Sequence, residues 1–376
     1  MPTVPDKIFA IKSAIEVCLE KKLIFAAYHL PGKTDTTLLI QKSHELTELN
    51  DISKLPVEGG FLVAPFATNK TEKIFIIRPD IIIRNVVSPA QMQHLIALPS
   101  GPLNGVSNIN PEETLKEDFI DQVEHTVTEI KSGKFEKVVL SRVKNIEGEY
   151  STRLAHIFEM LCESYGNAFV YLFNIKGHCW IGATPEPLIC ASENKFITVS
   201  LAGTRPFNEF NLNINNWNKK ERIEQEYVTT YIERVLENYQ VADYVKKGPT
   251  IKMAGKLLHL CTEFIFSFDS VGSNLPALIS SLHPTSAVCG MPMEKALNFI
   301  QYTEKHNREY YSGFLGPVGL DDRLQLFVNL RCMRVYKNKL VLYVGGGITA
   351  GSVAQDEWDE TEIKADTLLS IVQQVN

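Results

Sequence analysis

Strand-like and helix-like segments come in blocks along this chain rather than in strict alternation. Five short β-like segments lie between residues 23 and 86, and four more follow one another between residues 314 and 344. Amphipathic patterns over Glu112–Ser132 and Glu357–Val375 predict long helices. A doubly wound parallel sheet requires strands and helices that alternate, so the pattern favours an α+β fold with large antiparallel sheets.

The composition of the 376 residues limits the classes of partner. Net charge is −6, with acidic and basic residues interspersed, which argues against a nucleic-acid surface. The apolar stretches are too short to span a bilayer, and the N-terminus lacks the pattern of a signal peptide. The seven cysteines lack C-x-x-C spacing and predict buried free thiols in a reducing compartment. We therefore expect a cytoplasmic protein without nucleic-acid or membrane partners, and a monomer because no interface stripe is evident.

A stretch rich in Pro, Gly and Asn over residues 88–111 predicts a connector between two parts of the chain. The segments before it are mostly β-like, and the pattern changes from Glu112 onwards. We predict a β-rich N-terminal part over residues 1–108 and a second region over residues 109–376.

The end of the chain combines features of an anion site and a cation site. Leu340–Val344 predicts a strand, and the glycines of Gly345–Gly351 predict a turn that offers N–H groups to an anion. Glu357 and Glu360 are three residues apart and share one face of the closing helix. The combination suggests an enzyme that holds an anionic substrate through a divalent metal.

A second acidic pair lies at the start of another predicted helix. Glu221 and Glu224 also share one helix face, so two helices could offer carboxylates to the same ion. Mg²⁺ takes one or two carboxylates together with waters and substrate oxygens. The alternative for either pair alone is a solvated helix start, where glutamates favour the helix dipole.

Six segments of the sequence resemble, in the same order, those of the chorismate-utilising enzymes. The segments are Phe135–Arg142, Ile181–Leu188, Leu201–Arg205, Lys220–Glu224, Leu282–Ala287 and Gly345–Lys364. That family contains isochorismate synthases, salicylate synthases, anthranilate synthase large subunits and aminodeoxychorismate synthases. The resemblance covers about Glu112 to the C-terminus. It implies a core of two packed sheets with helices outside, and a chorismate-binding catalytic region in residues 109–376.

The reaction of this family requires an acid and a base. A nucleophile enters at ring C2 of chorismate while the C4 hydroxyl leaves. By resemblance, Glu186 is the general acid for the leaving hydroxyl, and burial or neighbouring charge should raise its pKa. By resemblance, Lys137 is the base that activates water at C2. His259 and His283, which lie among apolar residues, are interpreted as core or supporting histidines rather than metal ligands.

The resemblance also implies a Mg²⁺ site and a substrate pocket. Glu224 and Glu360 are the expected metal ligands, with Glu221 and Glu357 beside them, acting through water. The metal would neutralise the ring carboxylate of the substrate. The residues expected to contact the substrate are Gly203, Thr204, Ala287, Tyr311, Arg331, Gly347 and Lys364.

Individual positions favour a branch of the family that uses water. Lys137 and Leu201 resemble the water-using members, and Ala202 stands where aminodeoxychorismate synthases have a nucleophilic lysine. Ala287 resembles isochorismate synthases, whereas Tyr311 suits salicylate synthases as well. We expect an isochorismate synthase without a glutaminase subunit, serving menaquinone or siderophore synthesis. The alternatives are a salicylate synthase and a chorismate-binding protein without catalysis.

Two positions depart from the family pattern. Gln225 follows Glu224 where many members have His, and Thr184 replaces the more usual Ser. Neither change removes a residue that the resemblance places in the chemistry.

Overall fold

The structure, a computed structural model, describes residues 9–55, 59–68, 72–101, 111–255, 257–320 and 323–375. The strands within these ranges are β1 (Phe9–Ala10), β2 (Ile24–His29), β3 (Thr36–Gln41), β4 (Thr47–Leu49), β5 (Gly60–Ala64), β6 (Ile74–Ile77), β7 (Ile81–Arg84), β8 (Val86–Val87), β9 (Lys137–Glu147), β10 (Phe169–Ile175), β11 (His178–Thr184), β12 (Pro187–Ser192), β13 (Lys195–Pro206), β14 (Tyr244–Ala254), β15 (Leu257–Ser267), β16 (Gly290–Met291), β17 (Phe314–Leu320), β18 (Arg323–Val328), β19 (Cys332–Val335) and β20 (Lys339–Ile348). The α-helices are α1 (Ile11–Glu20), α2 (Pro89–Ala97), α3 (Lys116–Lys131), α4 (Leu154–Ser164), α5 (Lys219–Asn238), α6 (Leu275–Leu282), α7 (Met293–Thr303) and α8 (Ala354–Val375). None of these helices is long and apolar enough to cross a membrane.

Most of the strands belong to two nine-stranded sheets. The first sheet has the strand order β16-β9-β20-β19-β11-β10-β2-β3-β7. The second has the order β14-β15-β13-β12-β18-β17-β5-β6-β4. Neighbouring strands run antiparallel in both sheets, as β9 does with β20 and β13 with β15. The prediction of an α+β fold with large antiparallel sheets is therefore confirmed.

The two sheets pack face to face through an aromatic layer. Phe169 of β10 in the first sheet stacks on Phe327 of β18 in the second, with ring centroids 4.3 Å apart and planes 3° apart. Along β2, Phe25 faces the outer helices while its neighbour Ala26 faces the second sheet. Helices α1, α4 and α8 cover the outer face of the first sheet, and α5 and α6 cover that of the second. This arrangement confirms the expected two-sheet core with helices outside. All seven cysteines are free thiols, and most are buried.

Strands from the N-terminal part complete both sheets. Strand β2 pairs with β10 in the first sheet, and β5 pairs with β17 in the second. The predicted boundary between residues 108 and 109 lies outside the described residues. Strands from both sides of that boundary therefore enclose the same aromatic layer.

The predicted connector over residues 88–111 is wrong in its first part, because helix α2 begins there at Pro89. Ser88 caps this helix: its hydroxyl accepts from the Gln91 N–H at 3.2 Å, and the Gln91 side chain accepts from the Ser88 N–H at 3.0 Å. Proline at the first helical position has a backbone angle that already suits a helix. Residues 102–110 of the predicted connector lie outside the described part of the chain.

The predicted glycine turn after Val344 is also wrong, because β20 continues through the glycines to Ile348. Its register with β9 pairs Gly345 with Ser141, Gly346 with Leu140 and Gly347 with Val139. Hydrogen bonding to a long neighbouring strand outweighs the local preference of glycine for turns. The glycines therefore form an extended edge that faces the start of α8.

Candidate active site

One cleft gathers most of the predicted site residues. It measures about 680 Å³ with the open space at its mouth included. Its walls come from β9, β13, β15, β20, α5 and α8 and from the loops between strands. The predicted residues that line it are Glu186, Gly203, Thr204, Glu224, Ala287, Tyr311, Arg331, Gly347 and Lys364. The other predicted residues, which lie next to this lining, are Lys137, Glu221, Glu357 and Glu360.

Lys137 lies at the start of β9 and is completely buried. Its Nζ lies 3.1 Å from Oε1 of Glu224, in the first turns of α5. Gly347 of β20 lies against both side chains. A Cβ at this position would overlap Glu224 Oε1 and would come within 2.8 Å of Lys137 Cε. Residue 347 must therefore be glycine for the lysine and the glutamate to meet beside this strand.

Glu186 lies between β11 and β12 and is buried. Its backbone N–H donates to Thr184 Oγ1 at 3.4 Å, and the Thr184 hydroxyl donates to the Val328 carbonyl at 2.6 Å. The threonine that departs from the family pattern thus ties the loop to β18. Burial raises the pKa of Glu186 from its ordinary 4.5 to about 7, although nearby lysines, Lys137 first among them, act in the opposite direction. Glu186 can therefore carry a proton near neutral pH.

Arg331 is a buried cation without a carboxylate partner among the described residues. It lies between β18 and β19, and its guanidinium donates to the Ala254 carbonyl at 2.9 Å and to His259 Nε2 at 3.2 Å. Burial lowers the pKa of Arg331 to about 10, which still leaves it charged at neutral pH. A buried charge normally has a partner, so a cleft lined by Arg331 favours an anionic ligand.

His259 of β15 connects this arginine to β13. A guanidinium can only donate, so Nε2 accepts and the ring proton is on Nδ1, which lies 3.1 Å from the Gly203 carbonyl and 3.3 Å from Thr204 Oγ1. Burial, helped by the charge of Arg331, holds the pKa of His259 well below its ordinary value. His259 lines the cleft as a neutral histidine. The interpretation as a supporting residue agrees with these contacts, but the sequence did not predict its position in the wall.

The apolar part of the wall contains Ala287 and Tyr311, two of the positions used to distinguish family members. Tyr311 stacks on Tyr343 with ring centroids 5.6 Å apart, and its hydroxyl lies beside Gly345. Ala287, in the loop after α6, lines the same cleft. Burial raises the pKa of the Tyr311 hydroxyl, which therefore stays protonated and can donate a hydrogen bond, whereas Ala287 can act only by shape.

Each glutamate at the glycine edge is paired with a lysine. The ion pairs are Glu224 with Lys137 at 3.1 Å, Glu357 with Lys220 at 2.6 Å, and Glu360 with Lys364 at 2.7 Å. Lys364 also donates to the Gly345 carbonyl at 2.8 Å.

The backbone of the glycines points toward the cleft. Since the N–H and C=O of a strand residue point to the same side, Gly345 and Gly347 both direct their N–H groups away from β9. These N–H groups face the cleft, and the sequence analysis predicts that they bind an anion.

The oxygens at this edge suit a hard cation. A Cβ on Gly346 would lie 3.3 Å from Glu357 Oε2 and 3.8 Å from Glu360 Oε1. Glu224 reaches the neighbouring Gly347 from the opposite helix. Carboxylate oxygens are the donors that Mg²⁺ prefers, and one or two of them suffice when waters and substrate complete the shell. Within the described ranges, no three acidic, His or Cys side chains are already gathered as a metal site. An ion at this edge would therefore compete with the lysines for the glutamate oxygens.

Glu221 of α5 lies beside Gly203 of β13. Its Oε1 accepts from Arg205 Nε at 3.2 Å, and its Oε2 is buried with no hydrogen-bond partner in the described part of the chain. A buried carboxylate oxygen without a partner fits a site completed by a bound ion or its water. Gln225, where many family members have His, is buried and donates to Ser200 Oγ at 2.8 Å.

Comparison with known proteins identifies the family. The model of the family described as "Chorismate binding enzyme" matches residues 79–373, and so extends N-terminal to Glu112. Isochorismate synthase EntC of Escherichia coli K12 is 28% identical over 270 residues, which cover 69% of this chain and 68% of that protein. The vibriobactin-specific isochorismate synthase of Vibrio cholerae is 27% identical over 288 residues, covering 74% and 69%.

A solved structure shows the same fold. The menaquinone-specific isochorismate synthase MenF of Escherichia coli superposes with a TM-score of 0.74 at 20% identity, covering 97% of this chain and 93% of that one. At this identity the likeness concerns the fold alone. The family model, by contrast, spans most of the sequence, including every residue of the cleft. This chain belongs to the chorismate-binding enzymes.

Proposed function

We propose that this protein is an isochorismate synthase, which adds water at ring C2 of chorismate and expels the C4 hydroxyl. The observation that carries the proposal is a buried glutamic acid in the cleft, with a pKa of about 7, and a buried lysine next to the cleft lining. An amine and a carboxylic acid at the same cleft can act as base and acid in the same turnover. The relatives named isochorismate synthase support this choice.

The proton transfers balance between Lys137 and Glu186. Lys137, as the free amine, takes a proton from water while the water oxygen bonds to C2 and both ring double bonds shift toward C4, so that the C4–oxygen bond breaks. Glu186 gives its proton to the C4 oxygen, which leaves as water. The protein ends with a charged lysine and a charged glutamate. Proton exchange with solvent restores the starting forms, and the same groups can run the reaction in reverse.

The carboxylates of chorismate account for the remaining charged groups. Arg331 offers a fixed guanidinium in the cleft, and Lys364 lies at the end of the glycine edge. A guanidinium can bind a carboxylate through two parallel hydrogen bonds. The N–H of Gly347, with Gly203 and Thr204 on the facing strand, lines the position for the second carboxylate.

We propose Mg²⁺ as the cofactor, held by Glu224 and Glu360, with Glu221 and Glu357 supporting its waters. Bound there, the ion would neutralise a substrate carboxylate. The donor chemistry and the partnerless oxygen of Glu221 support this assignment. We also propose that the protein acts in the cytoplasm as a monomer without a glutaminase subunit, in menaquinone or siderophore synthesis.

Product chromatography tests the function. Purified protein incubated with chorismate and Mg²⁺ should form isochorismate, and the metal-free protein should not. Salicylate and pyruvate as main products would instead identify a salicylate synthase, and anthranilate formed on adding ammonium would contradict the use of water. A protein that binds chorismate without converting it would be a non-catalytic member. Against that outcome, Lys137, Glu186, Glu224 and Glu360 are all present at one cleft.

A further inference from the structure

The segment Phe135–Arg142 contains a residue that the proposed reaction does not use. Arg142 of β9 is completely buried. Side chains alternate along a strand, so Lys137 and Val139 face the cleft, whereas Arg142 faces the outer helices with Leu140. A long cation on the helix side of the strand that bears the base needs a structural reason.

All the side-chain contacts described for Arg142 are made with α8. Its Nε donates to Thr361 Oγ1 at 2.7 Å, and its Nη2 donates to Glu362. The guanidinium carbon lies 3.9 Å from the centre of the Trp358 ring. Lys144, two residues further along β9, donates to the other oxygen of Glu362 at 2.7 Å. Arg142 thus binds α8 by two directional hydrogen bonds and one stacking contact.

These contacts fix the rotation of α8. With about 3.6 residues per turn, helix positions three or four apart share a face. The face held by Arg142 consists of Trp358, Thr361 and Glu362. The adjacent face, which borders the glycine edge, consists of Glu357, Glu360 and Lys364. A small rotation of the helix would therefore move all three site residues relative to β9.

We propose that Arg142 is a positioning residue, which sets α8 on β9 so that Glu360 and Lys364 stay in register with Lys137. A lysine could keep the charge, but it lacks the planar fork that gives two fixed hydrogen bonds and ring stacking. The expected effect of Arg142 on the binding of Mg²⁺ and substrate rests on the function proposed above, whereas its effect on the position of α8 is independent of that function.

The test compares R142K and R142M with the matched control K144M. The control removes the second cation from Glu362 and leaves the contacts of Arg142 with Thr361 and Trp358 in place. Calorimetry on the substrate-free protein measures Mg²⁺ affinity, and hydrogen exchange measures protection of the amides of residues 357–364. Both Arg142 variants should bind Mg²⁺ about tenfold to 100-fold more weakly, as is typical when support of metal ligands is lost. They should exchange faster in α8, whereas K144M should match the wild type in both measurements.

Two outcomes would overturn the proposal. One is an R142K protein with wild-type Mg²⁺ affinity and wild-type exchange in α8. The other is an equal change in K144M, which would assign the effect to the charge around Glu362. If R142M does not fold, T361V removes the acceptor for Nε with little change of shape and should shift both readouts in the same direction. A wild-type protein that neither binds Mg²⁺ nor converts chorismate would refute the proposed function alone, because α8 exchange would still decide the role of Arg142.

Discussion

Lys137 and Glu224 form an ion pair of 3.1 Å inside the protein, although the proposed function gives one the role of base and the other that of metal ligand. A lysine can accept a proton only after it has lost its own. A carboxylate that binds a divalent ion attracts a neighbouring lysine less strongly. An ion held by Glu224, as proposed, would therefore compete with Lys137 for one carboxylate, which gives the first prediction a distinctive form.

Replacing Lys137 with Met should remove turnover without weakening metal binding. Loss of a general base lowers kcat by about 10²–10⁴-fold. Glu224 loses the cation that competes for its oxygen, so the affinity for Mg²⁺ in the substrate-free protein should stay the same or rise. Initial rates and calorimetry on the same preparation measure both effects.

Lys134 provides the matched control. It is an exposed lysine just before β9 that pairs with Glu129 on the surface. The K134M protein should have wild-type rates. A K137M protein whose kcat stays within about tenfold of wild type would exclude Lys137 as the base.

Replacing Glu186 with Gln should abolish turnover and stabilise the protein at alkaline pH. The pKa of Glu186 is about 7 in the folded chain and 4.5 ordinarily, so the folded state holds its proton more tightly than the unfolded state. The free energy of unfolding therefore falls as pH rises from 4.5 to 7, and the penalty is fully present above 7, at about 3 kcal/mol. Glutamine keeps the shape and removes the charge.

Urea denaturation at about pH 8 and about pH 4 tests whether Glu186 lowers the free energy of unfolding as pH rises. E186Q should be more stable than wild type at the higher pH and equal to it at the lower. The exposed Glu193, in the turn after β12, is the control, and E193Q should change neither stability nor rate. Equal stability of E186Q and wild type at both values would contradict the raised pKa.

Removing the carboxylate of Glu360 should raise the Mg²⁺ concentration needed for half-maximal activity at least about tenfold. Glu360 lies beside Gly346 and pairs with Lys364. Its neighbour Asp359 is exposed and bonds to Gln355 at 2.8 Å. E360Q and D359N each remove one negative charge from the same turn of α8. A higher Mg²⁺ requirement in E360Q alone would therefore indicate that Glu360 binds the ion directly. Identical Mg²⁺ titrations for the two variants would exclude Glu360 from the metal shell.

The sequence predicted Glu224 and Glu360 from the order of segments, and the structure brings them to neighbouring glycines. The sequence could not predict that those glycines continue a strand instead of forming a turn. Glycine signals a turn locally, whereas pairing of β20 with β9 is a long-range property. The sequence analysis did not predict the helix after Ser88, although its capping residues Ser88 and Gln91 are evident in the sequence. The Pro, Gly and Asn residues that follow favoured a connector instead.

The position of His259 shows a second limit. In sequence it is one polar residue in an apolar strand, which fits a core histidine. Its role depends on two long-range contacts. His259 of β15 pairs with Thr204 of the neighbouring strand β13, and it contacts Arg331, which lies between β18 and β19. Neither relation leaves a local pattern, so only the assembled sheet reveals that the histidine faces the cleft.

Replacing Arg331 with Lys should weaken chorismate binding more than it slows the chemical step. The buried guanidinium bonds to Ala254 and His259, which hold its remaining donors toward the cleft. Hydrogen bonds to charged groups contribute about 1.5–3 kcal/mol, so KM should rise about tenfold to 100-fold. Arg222, which within the described residues bonds to the carbonyls of Trp217 and Ile214, provides the control. R222K should keep the wild-type KM, and an unchanged KM in R331K would remove Arg331 from carboxylate binding.

Two glycines of the same segment should respond in opposite ways to one added methyl group. At Gly347 a Cβ would overlap Glu224 Oε1 and crowd Lys137, whereas at Gly351 it would meet nothing within 4 Å. G347A must push apart the proposed base and metal ligand, and a displacement of this size at reacting groups costs about 100-fold in rate. G351A should be as active as wild type, with melting temperatures showing that both variants fold. Equal activity of the two variants would mean that the reaction does not depend on the close approach of β20 to Lys137 and Glu224.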